Sequence, residues 1–303
     1  MIKLGIIGTN WITQQFIDAI KLSRKFDLTS VYSRHDQTAK TFAAKNGAQE
    51  TFTDLNAFFT KGQFETVYIA SPNSLHFEQA QMAIQHGKNV IVEKPAFSTQ
   101  KQMAKIQALL DENPQVLYFE AARNIHTENF HAIEKKLGQL KTVQGAEFTY
   151  SKYSSRYDLV LEGEEPNVFS LKYAGGALQD LGVYTVYDAV ALFGMPEEAA
   201  YYSQLIRTGV DGKGTAILQY PEYNVTLNFS KITNSHMTSE IYGLKDLIEI
   251  DDAGEINAVI YIDDDRNKQV IGNTIDENPM LPEVEDFARV INDPKNPQNK
   301  HDY

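Results

Sequence analysis

The first third of the chain alternates short β-rich runs with segments of helical period, and this restricts the possible folds more than any other feature. "IKLGIIG" precedes apolar residues at helical spacing from Trp11 to Leu22, "LTSVYS" a helical pattern over Thr38 to Asn46, and "TVYIASP" one from Leu75 to His86, before "NVIVEKP" closes the series. Strands separated by helices of about a dozen residues form βαβ units and therefore a parallel sheet. The run "VIV" at residues 90–92 also lacks polar alternation, as expected for a strand covered on both faces.

After about residue 120 the texture changes. One helix, Glu128 to Leu137, leads into alternating segments such as "TVQGAEFTYSKY", "AAYYSQLIRT", "TAILQY", "NVTLNFSKI", "SEIYG", "LIEIDD" and "INAVIYIDD", joined by Gly, Asp and Asn turns. This half reads as a sheet that is mainly antiparallel. At 303 residues the chain suits two domains, expected at 1–120 and 121–303. The fold class is α/β: a doubly wound parallel sheet, then an α+β domain with an open antiparallel sheet. The second face of that sheet, rich in Tyr, Phe and Thr, must meet water or a partner; a partner subunit, giving a homodimer or higher oligomer, is the reading favoured. The tail "NDPKNPQNKHDY" reads as a loop or frayed end.

Composition removes several function classes. No apolar run approaches the roughly 18 residues of a membrane span, and Leu4 to Ile7 is too brief for a signal-peptide core. With no cysteine, disulfides, thiolate metal sites and cysteine nucleophiles are excluded; no metal site is expected, and a cytoplasmic location is. The net charge of −12 opposes nucleic-acid binding, so a phosphate-bearing ligand must meet local positive charge.

Such a place exists. "GIIGTNWIT" lies between the first strand and its helix, where a glycine turn and a helix N-terminus can receive a pyrophosphate. Against G-x-G-x-x-G, Gly8 matches, whereas Asn10 and Thr13 hold the second and third glycine positions. Asn is the least unfavourable replacement where positive φ is required. An ordinary tight turn would explain the same residues. The second strand ends "VYSRHD": Ser33 and Arg34 stand where a site for NAD has an acid and a site for NADP has a guanidinium, so NADP is expected over NAD. In "ASPNSLH", Ser71, Pro72, Asn73 and His76 follow a third strand on the edge where ligands bind, although Asn and Ser also favour turns for local reasons and His76 is equally readable as the first turn of a helix.

"EKP" ends the next strand. Pro95 cannot donate to a sheet ladder and biases its predecessor toward extended backbone, so Lys94 is held at the carboxyl end of the sheet. A lysine in a dry crevice keeps its charge only beside a compensating group, for which Glu93 or a substrate oxygen is available. In "YAGGALQDLGVYTVYDAVALFG", Asp180, Tyr184 and Tyr187 fall at i, i+4 and i+7 on one helix face; a first-turn Asp and a core Tyr would give the same spacing.

The glycine turn, "SR", "SPNSLH", "EKP" and "GGALQDLGVY", in that order, resemble the glucose–fructose oxidoreductase / inositol dehydrogenase (Gfo/Idh/MocA) family of NAD(P)-dependent oxidoreductases over nearly the whole chain. The resemblance implies an N-terminal Rossmann domain and a C-terminal sheet domain that often mediates dimerisation. It also implies a dinucleotide bound by Gly8, Thr9, Asn10, Trp11, Ile12, Ser33, Arg34, Ser71, Pro72, Asn73, His76, Glu93 and Lys94, and an active site of Lys94, Asp180 and Tyr184. Tyr184 stands where the inositol dehydrogenase branch has histidine, as in the glucose–fructose oxidoreductase and dihydrodiol dehydrogenase branches. Many members of that family carry a further C-terminal helix, and the end of this chain is expected to be shortened by comparison.

The expected reaction is hydride transfer between nicotinamide and a sugar, polyol, dihydrodiol or related hydroxy/carbonyl small molecule. A free phenol, with a pKa near 10, is a poor base at neutral pH. A unit charge about 4 Å away at an effective dielectric of 20 contributes at most roughly 4 kcal/mol, or about 3 pKa units, which brings the phenol of Tyr184 near 7. Lys94 would supply that charge and polarise the reacting oxygen, and Asp180 would bind a neighbouring hydroxyl or orient Lys94. Arg123, after "VLYFEAA", is expected on the substrate side. The contrasting class is a non-catalytic NAD(P)-binding sensor, which has no need of all three active-site groups.

Overall fold

The computed structural model describes residues 1–296, and six parallel strands form its first sheet. In chain order the elements are β1 (Ile2–Ile7), α1 (Trp11–Ser23), β2 (Phe26–Tyr32), α2 (Asp36–Asn46), β3 (Glu50–Phe52), α3 (Leu55–Lys61), β4 (Thr66–Ile69), α4 (His76–Gln85), β5 (Asn89–Glu93), α5 (Gln100–Glu112) and β6 (Tyr118–Ala121). The strand order β3-β2-β1-β4-β5-β6 reverses between β1 and β4, which places a ligand crevice at the carboxyl ends of those two strands. Both faces are covered. Phe16, Ile17 and Ile20 of α1 pack on one side with Leu4, Ile6 and Val31; Phe58, Phe59, Ala80, Ile84 and Ile106 pack on the other with Ile7, Val67, Val90 and Val92. Each fully buried large apolar side chain stabilises the fold by roughly 1.5–3 kcal/mol. Side-chain caps fix the helix starts: Asp54 accepts from Ala57 N at 2.7 Å and Thr99 from Gln102 N at 3.3 Å.

The second unit spans Ala122–Ile275. It contains α6 (Glu128–Leu137), β7 (Gly145–Ser151), α7 (Arg156–Leu161), α8 (Val183–Phe193), β8 (Glu198–Leu205), β9 (Asp211–Gln219), β10 (Asn224–Ser230), β11 (Ser239–Tyr242), β12 (Leu247–Ile250), β13 (Val259–Ile262) and β14 (Lys268–Gly272). The eight strands lie in the order β14-β13-β12-β11-β7-β10-β9-β8. All neighbours are antiparallel except β7 and β10, which run parallel. Phe130 and Ile133 of α6 and Ala189 of α8 cover one face, over Phe148, Leu227, Phe229, Ile241 and Ile248. β8 is exposed along its whole length.

α9 (Leu281–Asn292) closes the described chain, with Pro282 in its first turn. It belongs to the first unit together with Met1–Ala121, which differs from a single boundary at residue 120. Val284, Phe287 and Ala288 join the α1 side of the first core, Phe287 meeting Phe119 at 5.1 Å between ring centres. Asn278 ties the approach by donating to the Gln15 carbonyl at 2.9 Å. The expected frayed tail lies mostly in 297–303, outside the described residues. No helix among the described residues is long and apolar enough to cross a membrane.

Candidate active site

Gly8 has φ +109°, and a Cβ added there would lie 2.6 Å from the Ala70 carbonyl oxygen at the end of β4. Only glycine allows this approach. Asn10 departs from the expected positive φ: it is extended, at φ −87° and ψ −176°, and acts as the cap of α1. Its Oδ1 accepts from Thr13 N at 3.1 Å and from Thr13 Oγ1 at 3.2 Å, while its Nδ2 donates to the Ala70 carbonyl at 3.0 Å. The two residues in the missing glycine positions therefore bond each other, and Asn10 locks the turn to β4. The first turn of α1 carries no acid, Trp11 is exposed, and Ile12 packs on the core. A cleft of about 620 Å³ beside the turn is lined by Thr9, Asn10 and Trp11 and carries Lys45 together with the acids Asp18 and Glu277. A helix N-terminus and a glycine with no room for a side chain fit the pyrophosphate of a dinucleotide at the turn itself.

At the end of β2, Ser33 donates its N–H to the Phe52 carbonyl at 3.1 Å, and its hydroxyl accepts from His35 N at 3.4 Å. Arg34 is exposed and makes no ion pair among the described residues; the nearby Asp36 is bound instead by Lys40 at 2.7 Å. Burial raises the pKa of the adjacent Tyr32 phenol, and the Arg34 charge opposes that shift.

Lys94 is half-buried and the residues around it are tied in three places. Tyr68 on β4 donates its hydroxyl to Glu93 Oε1 at 2.5 Å, and the Tyr68 ring stacks on Phe16 at 3.8 Å. The carbonyl of Pro95 lies 2.9 Å from His76 Nδ1. The N–H of Ala96 donates to Glu120 Oε1 on β6 at 2.9 Å. His76, the first residue of α4, has its other ring nitrogen 2.8 Å from the Ser71 carbonyl and is 1% exposed. Both nitrogens face backbone oxygens, so His76 is a strut between two loops rather than a group open to a ligand; Glu93, 7% exposed, is likewise an anchor. Burial lowers the His76 pKa, its carbonyl contacts raise it, and the charge of Lys94 lowers it further. Ser71 Oγ donates to Gln79 Oε1 at 2.7 Å, Pro72 precedes a 3₁₀ turn, and Asn73 begins that turn.

In the second unit the helical spacing expected for Asp180 and Tyr184 is altered. Leu178–Gly182 is a π-helical turn and α8 begins only at Val183, so the i, i+4 relation of an unbroken α-helix does not hold. Gly182 permits the turn to press on β10, since a Cβ there would lie 2.9 Å from the Phe229 ring. Asp180 Oδ2 is bound by Lys231 Nζ, a residue the sequence motifs did not mark. Its only local signal is a lysine inside the apolar strand end "NFSKI". Tyr184 is 8% exposed, with Tyr150 edge-on at 5.6 Å and the Arg123 guanidinium 6.0 Å from its ring centre. Arg123 lies in a 3₁₀ turn and pairs with Glu255 at 3.7 Å. The next residue, Asn124, donates to the Tyr184 carbonyl at 3.2 Å and to Asp188 Oδ1 at 2.8 Å. Burial raises the Asp188 pKa well above its usual 3.8, against the opposing effect of the Asn124 hydrogen bond. Tyr187 is half-buried.

A doubly wound sheet with a glycine turn at its switch point, and a lysine at the adjoining strand ends, is the frame expected of a dinucleotide-dependent oxidoreductase. Residues 2–121 match the model of the oxidoreductase family with an NAD-binding Rossmann fold, and residues 132–249 match the GFO/IDH/MocA C-terminal domain. The chain belongs to the Gfo/Idh/MocA family of NAD(P)-dependent oxidoreductases, enzymes of CH–OH groups. It is 38% identical over 293 residues to the uncharacterized oxidoreductase YgjR of Escherichia coli, covering 97% of this chain and 89% of that one. It is 38% identical over 295 residues to scyllo-inositol 2-dehydrogenase (NADP(+)) IolU of Bacillus subtilis, covering 97% and 90%. A 3-ketoreductase from Actinomadura kijaniata, solved with NADP and TDP-benzene, shares the fold at TM-score 0.85 and 20% identity, over 98% of this chain and 91% of that one.

Proposed function

We propose that the protein is an NADP-preferring dehydrogenase or reductase of a polyol or sugar, working in the cytoplasm. The observation that carries this reading is the triple anchoring around Lys94, an arrangement suited to a cation that must meet one substrate oxygen. The exposed Arg34 after Ser33, and the likeness to an NADP-dependent inositol dehydrogenase, support the cofactor and substrate class. In this reading Gly8, Thr9, Asn10, Trp11 and Ile12 receive the pyrophosphate, Ser33 and Arg34 the 2′-phosphate, and Ser71, Pro72 and Asn73 the nicotinamide half. His76 and Glu93 support that edge from within.

Bound NADP supplies the hydride acceptor. In the oxidative direction Tyr184, as its phenolate, would take the substrate's hydroxyl proton on Oη, and in the reductive direction the phenol would return it. Lys94 stabilises the charge that develops on the reacting oxygen, Asp180 accepts a neighbouring hydroxyl, and Arg123 lines the substrate side. The open sheet face, with Tyr202 and Val270 exposed, forms a homodimer contact; sedimentation as a monomer at micromolar concentration would count against that part.

The test is a sugar and polyol panel followed at the NADPH absorbance. Lys94→Met and Tyr184→Phe each lower turnover at least about a hundredfold with NADPH binding intact, read through quenching of Trp11, the sole tryptophan. Full activity in either variant refutes the assigned role, and binding without turnover across the panel identifies a sensor instead.

A further inference from the structure

Lys231 follows β10 with its backbone fixed on both sides: its N–H donates to the Gly212 carbonyl at 2.9 Å, and its carbonyl accepts from Ser154 N at 2.9 Å. Only 3% of its side chain is exposed, and the ammonium lies 5.0 Å from the centre of the buried Phe169 ring. An ammonium withdrawn from water needs an anion beside it. That anion is Asp180, whose side chain is 35% exposed. The pair is therefore asymmetric, with a cation sealed in protein and a carboxylate reaching the surface. The π-helical turn makes this possible, because the close approach of Gly182 to Phe229 sets Asp180 over the end of β10.

We propose that Lys231 is a positioning residue for the reaction, a buried ammonium that keeps Asp180 ionised and aimed as a fixed acceptor for a second hydroxyl adjacent to the reacting carbon. This rests on the function proposed above and adds to it in two ways. Lys231, in the same unit, contributes to the orientation of Asp180, and the preferred substrate is a vicinal diol, whose second hydroxyl donates to the held carboxylate.

The experiment compares wild type, Lys231→Met, Lys231→Arg, Asp180→Asn and the Lys231→Met/Asp180→Asn double variant. Each is assayed with a vicinal polyol taken from the panel and with its deoxy analogue lacking the neighbouring hydroxyl. Lys231→Met lowers kcat/KM for the polyol about tenfold to a hundredfold, the range for a lost charge-assisted hydrogen bond, and leaves the deoxy analogue little changed. The acid limb of its pH profile moves upward, because a carboxylate without its cation takes a proton more readily. Lys231→Arg restores most of the loss, and the double variant is no worse than Asp180→Asn. Equal losses on both substrates, an unmoved pH profile or additive effects in the double variant overturn the role. Should Lys231→Met fail to melt cooperatively, Lys231→Gln takes its place and the same outcomes decide. A wild-type protein that reduces NADP with no member of the panel overturns the proposed function and this role together, a pattern distinct from an active wild type matched by its Lys231 variants.

Discussion

Gly8→Ala tests whether the turn after β1 is built for a ligand's close approach. The new Cβ would lie 2.6 Å from the Ala70 carbonyl oxygen, so the end of β4 must retreat by about 0.8 Å to reach ordinary contact. Ala70 is held there by donating its N–H to the Ile7 carbonyl at 2.8 Å and by accepting from Asn10 Nδ2 at 3.0 Å. Each hydrogen bond contributes about 0.5–1.5 kcal/mol net, and an alanine forced to positive φ adds about 1–3 kcal/mol. The combined destabilisation is about 2–6 kcal/mol, which at about 2–4 °C per kcal/mol lowers the melting temperature by at least roughly 4 °C. NADPH affinity, titrated through Trp11 fluorescence, falls about tenfold or more because the cradle opens. Gly47→Ala is the control: its φ is +84° but nothing lies within 4 Å of the added Cβ, so it incurs strain without a clash and leaves affinity intact. A Gly8→Ala protein with wild-type melting and wild-type affinity would refute this account of the turn.

Arg34→Ala weakens NADPH about tenfold to a hundredfold, the loss of one charge-assisted contact, and leaves NADH unchanged; equal weakening of both cofactors in a binding titration rules out contact with the 2′-phosphate. Asp188→Asn addresses stability. Burial raises the folded pKa of Asp188 above its usual 3.8, so between those two values the folded state holds a proton that the unfolded chain releases, and stability is lost as pH rises through that window. The asparagine variant therefore melts higher than wild type at pH 8 and nearly level with it below pH 3.8; a gain independent of pH would show that ionisation is not the cause.

The βαβ order, the antiparallel second half and the strand-end position of Lys94 were legible because each rests on local period or on the stereochemistry of proline. Short elements were not. β3 has three residues and α3 seven, too few for periodicity to separate them from loop. α9 carries a readable pattern in Leu281, Val284, Phe287 and Ala288, yet no local signal tells that it packs on α1 more than 250 positions earlier. The helical spacing of Asp180 and Tyr184 was read as unbroken, since a π-helical turn has no composition of its own. The structure shows it in the backbone of Leu178–Gly182, with Gly182 pressed on Phe229.

What the motifs mark is the chemistry, and what they leave unmarked is the support that makes the chemistry reliable. Lys94 stands in a recognisable tripeptide, but Tyr68, His76 and Glu120 hold its surroundings from three different elements. Tyr184 stands in a recognisable helix, but Asn124 holds its backbone from a 3₁₀ turn 60 positions away. Asp180 is recognisable, and the Lys231 that binds it lies 51 positions away. A side chain misplaced by an ångström forfeits much of a positioned group's effect on rate, so these supports are as necessary as the groups they hold. They have no motif because a hydrogen bond or ion pair between distant positions requires only that the fold bring the two together. Tyr68, His76 and Glu120 around Lys94, Asn124 at Tyr184 and Lys231 at Asp180 each lie in the same unit as the group they support, so the fold of that unit brings each pair together.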